Sequence, residues 1–150
     1  MRVMFSIQSA LLVLFVLLTG CSTNTSVTQY IVYENAAHEF KIELPATWAE
    51  KYEIIETEER VVFVNKANKE AAGGELFQIE VWTQEKWKAE GEELSQIIRL
   101  TKLAEAGDEV YTFRTPTDVQ YTTADESLKK AYNDMFQDVE KIKETFQIVK

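Results

Sequence analysis

Residues 124–145 contain neither glycine nor proline. Along them Leu128, Ala131, Tyr132, Met135, Val139 and Ile142, with Phe146 just beyond, are spaced by threes and fours. That spacing draws one apolar stripe along a helix. The pattern predicts a single long amphipathic helix over this stretch. Thr123 or Asp125 can cap its start, and Asp125 and Glu126 complement the positive helix end. Lys141 and Lys143 lie toward the negative end. Such a helix gains most of its stability by laying its stripe on another apolar surface. The chain must therefore supply a sheet for it to cover.

Strand patterns precede it. Phe40, Ile42 and Leu44 alternate with Lys41 and Glu43, as a half-buried strand requires. Pro45 ends that strand because it lacks a ladder N–H. Residues 30–33 form a short strand before it, and residues 46–48 a turn that folds Trp48 back over the core. Three further strands are expected over 52–56, 60–64 and 75–83. The second is apolar on both faces, which suits a covered central strand. In the third, Phe77, Ile79 and Val81 share one face, while Leu76 and Trp82 take the other. Gly73-Gly74 marks the turn between the last two, so an antiparallel meander is expected.

Residues 84–93, rich in Glu and Lys around Trp87, read as a short surface helix. A hairpin follows, with arms 96–103 and 109–114 and its turn at Ala106-Gly107-Asp108. Together the elements make an α+β domain: a mainly antiparallel sheet of five or six strands flanked by helices, with the long helix at its C-terminal end.

The first twenty residues read differently. Arg2 precedes the apolar run 10–18, and Thr19-Gly20-Cys21 follows it. A positive start, a short apolar core and small residues describe a secretory signal peptide. The run is about half of the ~20 residues that span a bilayer. Leu18-Thr19-Gly20-Cys21 resembles the lipobox of bacterial lipoproteins. The resemblance implies cleavage before Cys21 and acylation of its sulfur and new amino group. The protein is then lipid-anchored on the extracytoplasmic face of a cell membrane. Cys21 is the only cysteine, so the exported domain has no internal disulfide and is held by its core. Residues 21–29 read as a tether and 30–150 as one domain.

All 25 acidic residues lie after residue 20, against 15 basic ones once Arg2 is set aside, giving −10 for the mature chain. Such a surface repels phosphate backbones, so no nucleic-acid partner is expected. It repels anionic headgroups too, so attachment to the membrane rests on the acyl chains.

The opening Phe40-x-Ile42-x-Leu44-Pro45-x-x-Trp48 and the closing Ile142-x-x-Thr145-Phe146 are similar to the Mog1/PsbP-type α/β/α sandwich. The similarity covers roughly residues 30–150. Members of that fold are mostly binding or assembly factors, so the resemblance implies a role of that kind, although fold alone does not fix function. Some relatives of the PsbP type are associated with manganese or calcium, but no ligand set carries over to this chain.

The chemistry-bearing residues agree with a non-enzymatic reading. His38 is the only histidine, and it is expected as an exposed turn residue. A nucleophilic triad needs an imidazole base beside its nucleophile, and zinc sites of the usual kind use several His or Cys ligands. No cofactor is expected. Asp134 and Asp138, four apart on one predicted helix face, offer too few oxygens for calcium. The alternative is a small hydrolase or metal-dependent activity that uses such surface carboxylates. For recognition, the loop 115–121 stands out, with Asp118, Gln120 and Tyr121 beside the rigid Pro116. Trp82 and Trp87 join it as aromatic candidates, since aromatics anchor interfaces. These five residues are the candidate recognition set, and they leave room for a protein partner in the cell envelope.

Overall fold

The computed structural model describes residues 29–149. The expected signal peptide, Cys21 and all but the last tether residue lie outside the described residues. Strands β1 (Tyr30–Asn35) and β2 (Phe40–Pro45) form the first hairpin, and Ala46–Trp48 is a single 3-10 turn. Then come β3 (Tyr52–Glu56), β4 (Arg60–Asn65), α1 (Lys69–Ala72) and β5 (Glu75–Thr83). A helical segment follows: α2 (Gln84–Lys86), a π turn (Trp87–Gly91) and α3 (Glu92–Leu94). Strands β6 (Leu100–Ala106) and β7 (Glu109–Arg114) precede α4 (Glu126–Phe136), α5 (Val139–Glu144) and β8 (Gln147–Ile148). The domain is α+β.

The strands build two antiparallel sheets, ordered β1-β2-β8 and β3-β4-β5-β7-β6. This corrects the expectation of one sheet of five or six strands. The meander holds through β5. There the chain leaves the sheet through the helical segment, and β6 becomes an edge while β7 returns beside β5. The first arm of that hairpin starts at Leu100, four residues later than expected, because residues 95–99 turn away from the helical segment.

One face of the large sheet carries the core. Tyr52, Phe63, Phe77 and Phe113 stack across four strands, with successive ring centroids 6.4, 4.5 and 4.8 Å apart. Stacked aromatic pairs contribute roughly 0.5–1.5 kcal/mol each beyond their burial. The small sheet lies on this ladder through Phe40, Ile42 and Leu44, all fully buried. Tyr33 meets Phe63 edge-on at 5.2 Å, and Phe40 meets Tyr111 at 6.2 Å. Trp48 is 1% exposed and packs on Phe77, as a residue folded over the core must.

The C-terminal stripe covers the rest of this face, but not as one helix. Asp125 caps α4, accepting from the N–H groups of Ser127 and Leu128 at 2.9 and 3.1 Å. The helix stops at Phe136, and the Asp138 N–H donates back to the Met135 carbonyl at 3.0 Å. Asp138 Oδ2 then accepts from Trp48 Nε1 at 3.0 Å, which holds the break in place. The stripe keeps its direction across the break, since Tyr132, Met135, Val139 and Ile142 are all buried. Asp134 and Asp138 therefore sit on different helical pieces and do not share a helix face. Asp134 instead pairs with Lys130 at 2.6 Å.

Two asparagines join β4 to α4. Asn68 Nδ2 donates to Asn65 Oδ1 at 2.8 Å and to the Leu128 carbonyl at 2.9 Å. Asn65 Nδ2 reaches the Ala131 carbonyl at 3.3 Å. Gly74 (φ +65) makes this corner fit, because a Cβ there would lie 2.6 Å from the Asn65 carbonyl oxygen.

Candidate functional site

The second face of the large sheet is only half covered. Strand register sets its residues in rows. Val62 and Arg114 flank Gln78, Arg60 and Thr112 flank Glu80, and Val110 lies beside Trp82. The helical segment of α2, the π turn and α3 closes over the Trp82 end. There Trp87, Leu100 and Val110 form a second buried cluster with Trp82, Leu94 and Ile98 around it. The helical segment does not cover the remainder, from β3 to β5, where Ile55 is exposed while Val64 and Gln78 are buried.

Three clefts run along this open part. One of about 330 Å³ lies between Thr57, Arg60, Glu80, Trp82 and Lys86. The next, about 250 Å³, is floored by Val62, Val64 and Gln78 and walled by Ile55, Glu75 and Gln120. The third, about 180 Å³, lies against Glu75, Arg114, Pro116, Asp118 and Gln120. Neighbouring clefts share Thr57 and Arg60, then Glu75 and Gln120, so they make one groove along β5. From Glu75 to Trp82 an extended chain covers about 23 Å.

The groove floor is a fixed polar network. Gln78 is 1% exposed and donates to Glu80 Oε1. Arg114 Nε lies 3.5 Å from the same oxygen. The Thr112 hydroxyl accepts from Trp82 Nε1 at 3.0 Å and donates to the Glu80 carbonyl at 3.5 Å. Glu80 thus carries a carboxylate already satisfied by a guanidinium and an amide. A carboxylate held in this way fixes the orientation of the side chains around it.

At the rim a second carboxylate is partly buried. Burial raises the Glu75 carboxyl above its usual range. Arg114 and Arg60 pull it down, while Glu80 and Asp118 push it up. Gln120 bridges the loop to the strand, accepting from the Glu75 N–H at 3.4 Å and donating to Asp118 Oδ1 at 2.9 Å. At the far end Lys86 pairs with Glu59 at 3.2 Å and lies 5.4 Å from the Trp82 ring centroid.

The five candidate recognition residues therefore part company. Trp82, Asp118 and Gln120 border the groove, with Trp82 at one end and the loop at the other. Trp87 is 4% exposed and stands edge-on to Trp82 at 5.8 Å, inside the second cluster. Tyr121 turns to the opposite side and packs on Tyr132 at 5.4 Å. Arg60, Gln78, Glu80 and Arg114 were not singled out from the sequence. Their one signal was Gln78 and Glu80 alternating with Phe77 and Ile79, which marks a second, polar strand face.

His38 is not exposed, as its turn position suggested, since its side chain is 16% accessible. Its Nδ1 lies 3.5 Å from Glu109 Oε1, and Tyr111 Oη lies 2.8 Å from the His38 carbonyl and 2.6 Å from Glu109 Oε2. This cluster pins the β1–β2 turn to the start of β7. Among the described residues no three of His, Cys, Asp and Glu converge as a metal-holding group. No helix among them is long and apolar enough to cross a membrane. No protein-family model, no curated protein and no solved structure matches the chain.

Proposed function

We propose that this chain is a non-enzymatic binding or assembly module, anchored through acylated Cys21 on the extracytoplasmic face of a cell membrane. Its groove along β5 seats an extended segment of a protein partner in the envelope. The observation that carries the binding reading is the groove floor. Gln78 is almost fully buried yet aligned with Glu80 and Arg114 on an otherwise open sheet face. Fixed donors and acceptors beside apolar rim residues such as Ile55, 43% exposed, suit recognition of a backbone and its side chains. Tether residues 21–29 reach at most ~30 Å when extended, so the partner lies close to the bilayer. We assign the domain to the Mog1/PsbP-type sandwich. The strand running into Pro45 and Trp48 supports that assignment, as do the helices that follow the sheet.

Site-specific photocrosslinking in intact cells tests the reading. A photoreactive residue at Ile55 should give a discrete adduct in the membrane fraction. One at Glu34, exposed on the small sheet, should give none. With Cys21→Ala, the protein should leave the membrane and lose fatty-acid label. Equal adducts from both positions would refute the groove, and label retained without Cys21 would refute the anchor.

A further inference from the structure

A second cleft, of about 640 Å³, opens on the other side of the domain, between the turn after Trp48 and helix α4. We propose that it binds a small amphipathic organic anion, with an apolar ring inside and a carboxylate at its mouth. The volume is that of small-molecule sites, roughly 300–1,000 Å³. Trp48, Met135, Ala67 and Ala131 line it, and its mouth carries Lys51 and Lys66.

The apolar wall is preformed. Trp48 is held by Asp138 at 3.0 Å, and the Met135 sulfur lies 2.9 Å from Asn65 Nδ2. Both side chains are at most 4% exposed, so the wall needs no ordering when a ligand arrives.

The two lysines are neighbours along the sheet. The Lys66 N–H donates to the Lys51 carbonyl at 2.9 Å, which sets the two lysines opposite one another just past the β3–β4 ladder. Among the described residues six lysines have a carboxylate within 4 Å, and neither of these two does. Of the two acids that line the cleft, Asp134 pairs with Lys130 at 2.6 Å, and nearby Glu53 pairs with Lys69 at 2.5 Å, which leaves Glu50 as the one lining carboxylate without a lysine. Glu50, also at the mouth, adopts the left-handed φ of +62. That turn lets the Lys51 N–H reach the Trp48 carbonyl at 2.9 Å. Strained backbone of this kind collects at binding sites. Lys51 and Lys66 outnumber Glu50, the one lining carboxylate without an ion pair, so the cleft sets a net positive charge beside its apolar wall and fits an anion with an apolar body.

Calorimetric titration of the full chain with 2-naphthoate, and with its neutral analogue 2-naphthamide, tests this. Wild type should bind one naphthoate saturably and the amide about tenfold more weakly, because the charge provides much of the affinity. The Lys51→Gln/Lys66→Gln double variant should lose about tenfold for naphthoate and keep its affinity for the amide. Lys141→Gln, elsewhere on the surface, should change neither. Ala131→Leu, which fills the cleft, should remove both. Should that variant fail to fold, the lysine variants decide alone. Absence of saturable binding by wild type, or naphthoate binding indifferent to the double substitution, would overturn the proposal.

Discussion

Replacing Gly91 with alanine sets two effects against each other. Alanine favours helix over glycine by about 1 kcal/mol, and Gly91 already has helical angles, φ −66 and ψ −38. Sterics oppose the gain. A Cβ at Gly91 would lie 2.2 Å from Trp87 Cε3 and 2.7 Å from Cζ3. To restore an ordinary carbon contact of about 3.5 Å the indole must retreat by roughly 1.3 Å. It has nowhere to go, because Trp82, Leu94, Leu100 and Val110 surround it. Overpacking of this kind costs about 1–3 kcal/mol, and the direct clash with a ring belongs at the upper end. The net expectation is a loss of about 1–2 kcal/mol, or roughly 4–8 °C in Tm. Thermal and urea unfolding measure it, and near-ultraviolet circular dichroism should report the displaced indole. Gly107→Ala is the contrast: its φ is +61 with nothing within 4 Å of the new Cβ. It should lose about 1 kcal/mol through backbone strain alone and leave the tryptophan signal unchanged. A Gly91→Ala protein as stable as wild type would mean that the helical segment is not docked. Trp87 would then return to the surface as a recognition residue.

Three other expectations follow from the packing. Met135→Ala should cost about 2–5 kcal/mol in denaturant melts, while Lys143→Ala on the polar face should cost under about 0.5 kcal/mol. Asp138→Ala should cost about 1–3 kcal/mol by stranding the buried Trp48 N–H. Asp138→Asn, which keeps an acceptor, should recover most of that stability. Glu75→Gln should stabilise the domain at pH 7. Its carboxyl is raised in the folded state, so its ionisation is easier in the unfolded chain. The folded state then gains from the protonated form below the unfolded value near 4, and loses that gain as pH rises through the folded value. The benefit of the substitution should fade between pH 7 and pH 4. A constant benefit across that range would remove burial of the charge as its cause.

Much of the fold was legible because the alternation was strong. Strands β5 and β7 have the expected bounds, and so does β3 despite its weaker pattern. Within β5 the register shift opposite Phe63/Val64 puts Leu76 in the main core with Phe77, not on the Trp82 face where alternation places it. The break after Phe136 was invisible because the stripe resumes in phase at Val139. At the break Asp138 bonds to Trp48, a residue 90 positions away that no local pattern connects to it. The second sheet was hidden for a similar reason, since two residues of β8 carry no pattern of their own. The tryptophans show the limit at the groove. Composition cannot tell that Trp82 borders solvent while Trp87, five residues on, is sealed in. The partnership of Gln78 and Glu80 with Arg114 depends on β7 lying beside β5, which follows from a crossover and not from local pattern. Asn65 and Asn68 look like ordinary turn residues until their carbonyl partners on α4 are known.

The short strand β8 has a consequence for the order of folding. It pairs with β2 at Phe40↔Ile148, and Thr145 Oγ1 accepts from the Glu43 N–H, 102 residues away. The first hairpin can form early, since its turn is local. Its inner face packs on Phe63 and Phe77 of the strands that follow, but its free edge and the side of Phe40 close only when Phe146 and β8 come back from the far end of the chain. A polypeptide emerging from its N-terminus would thus carry the β2 edge unpaired for almost the whole of its synthesis. Closures over such separations are slow, and the earliest segment to appear becomes the last to be locked.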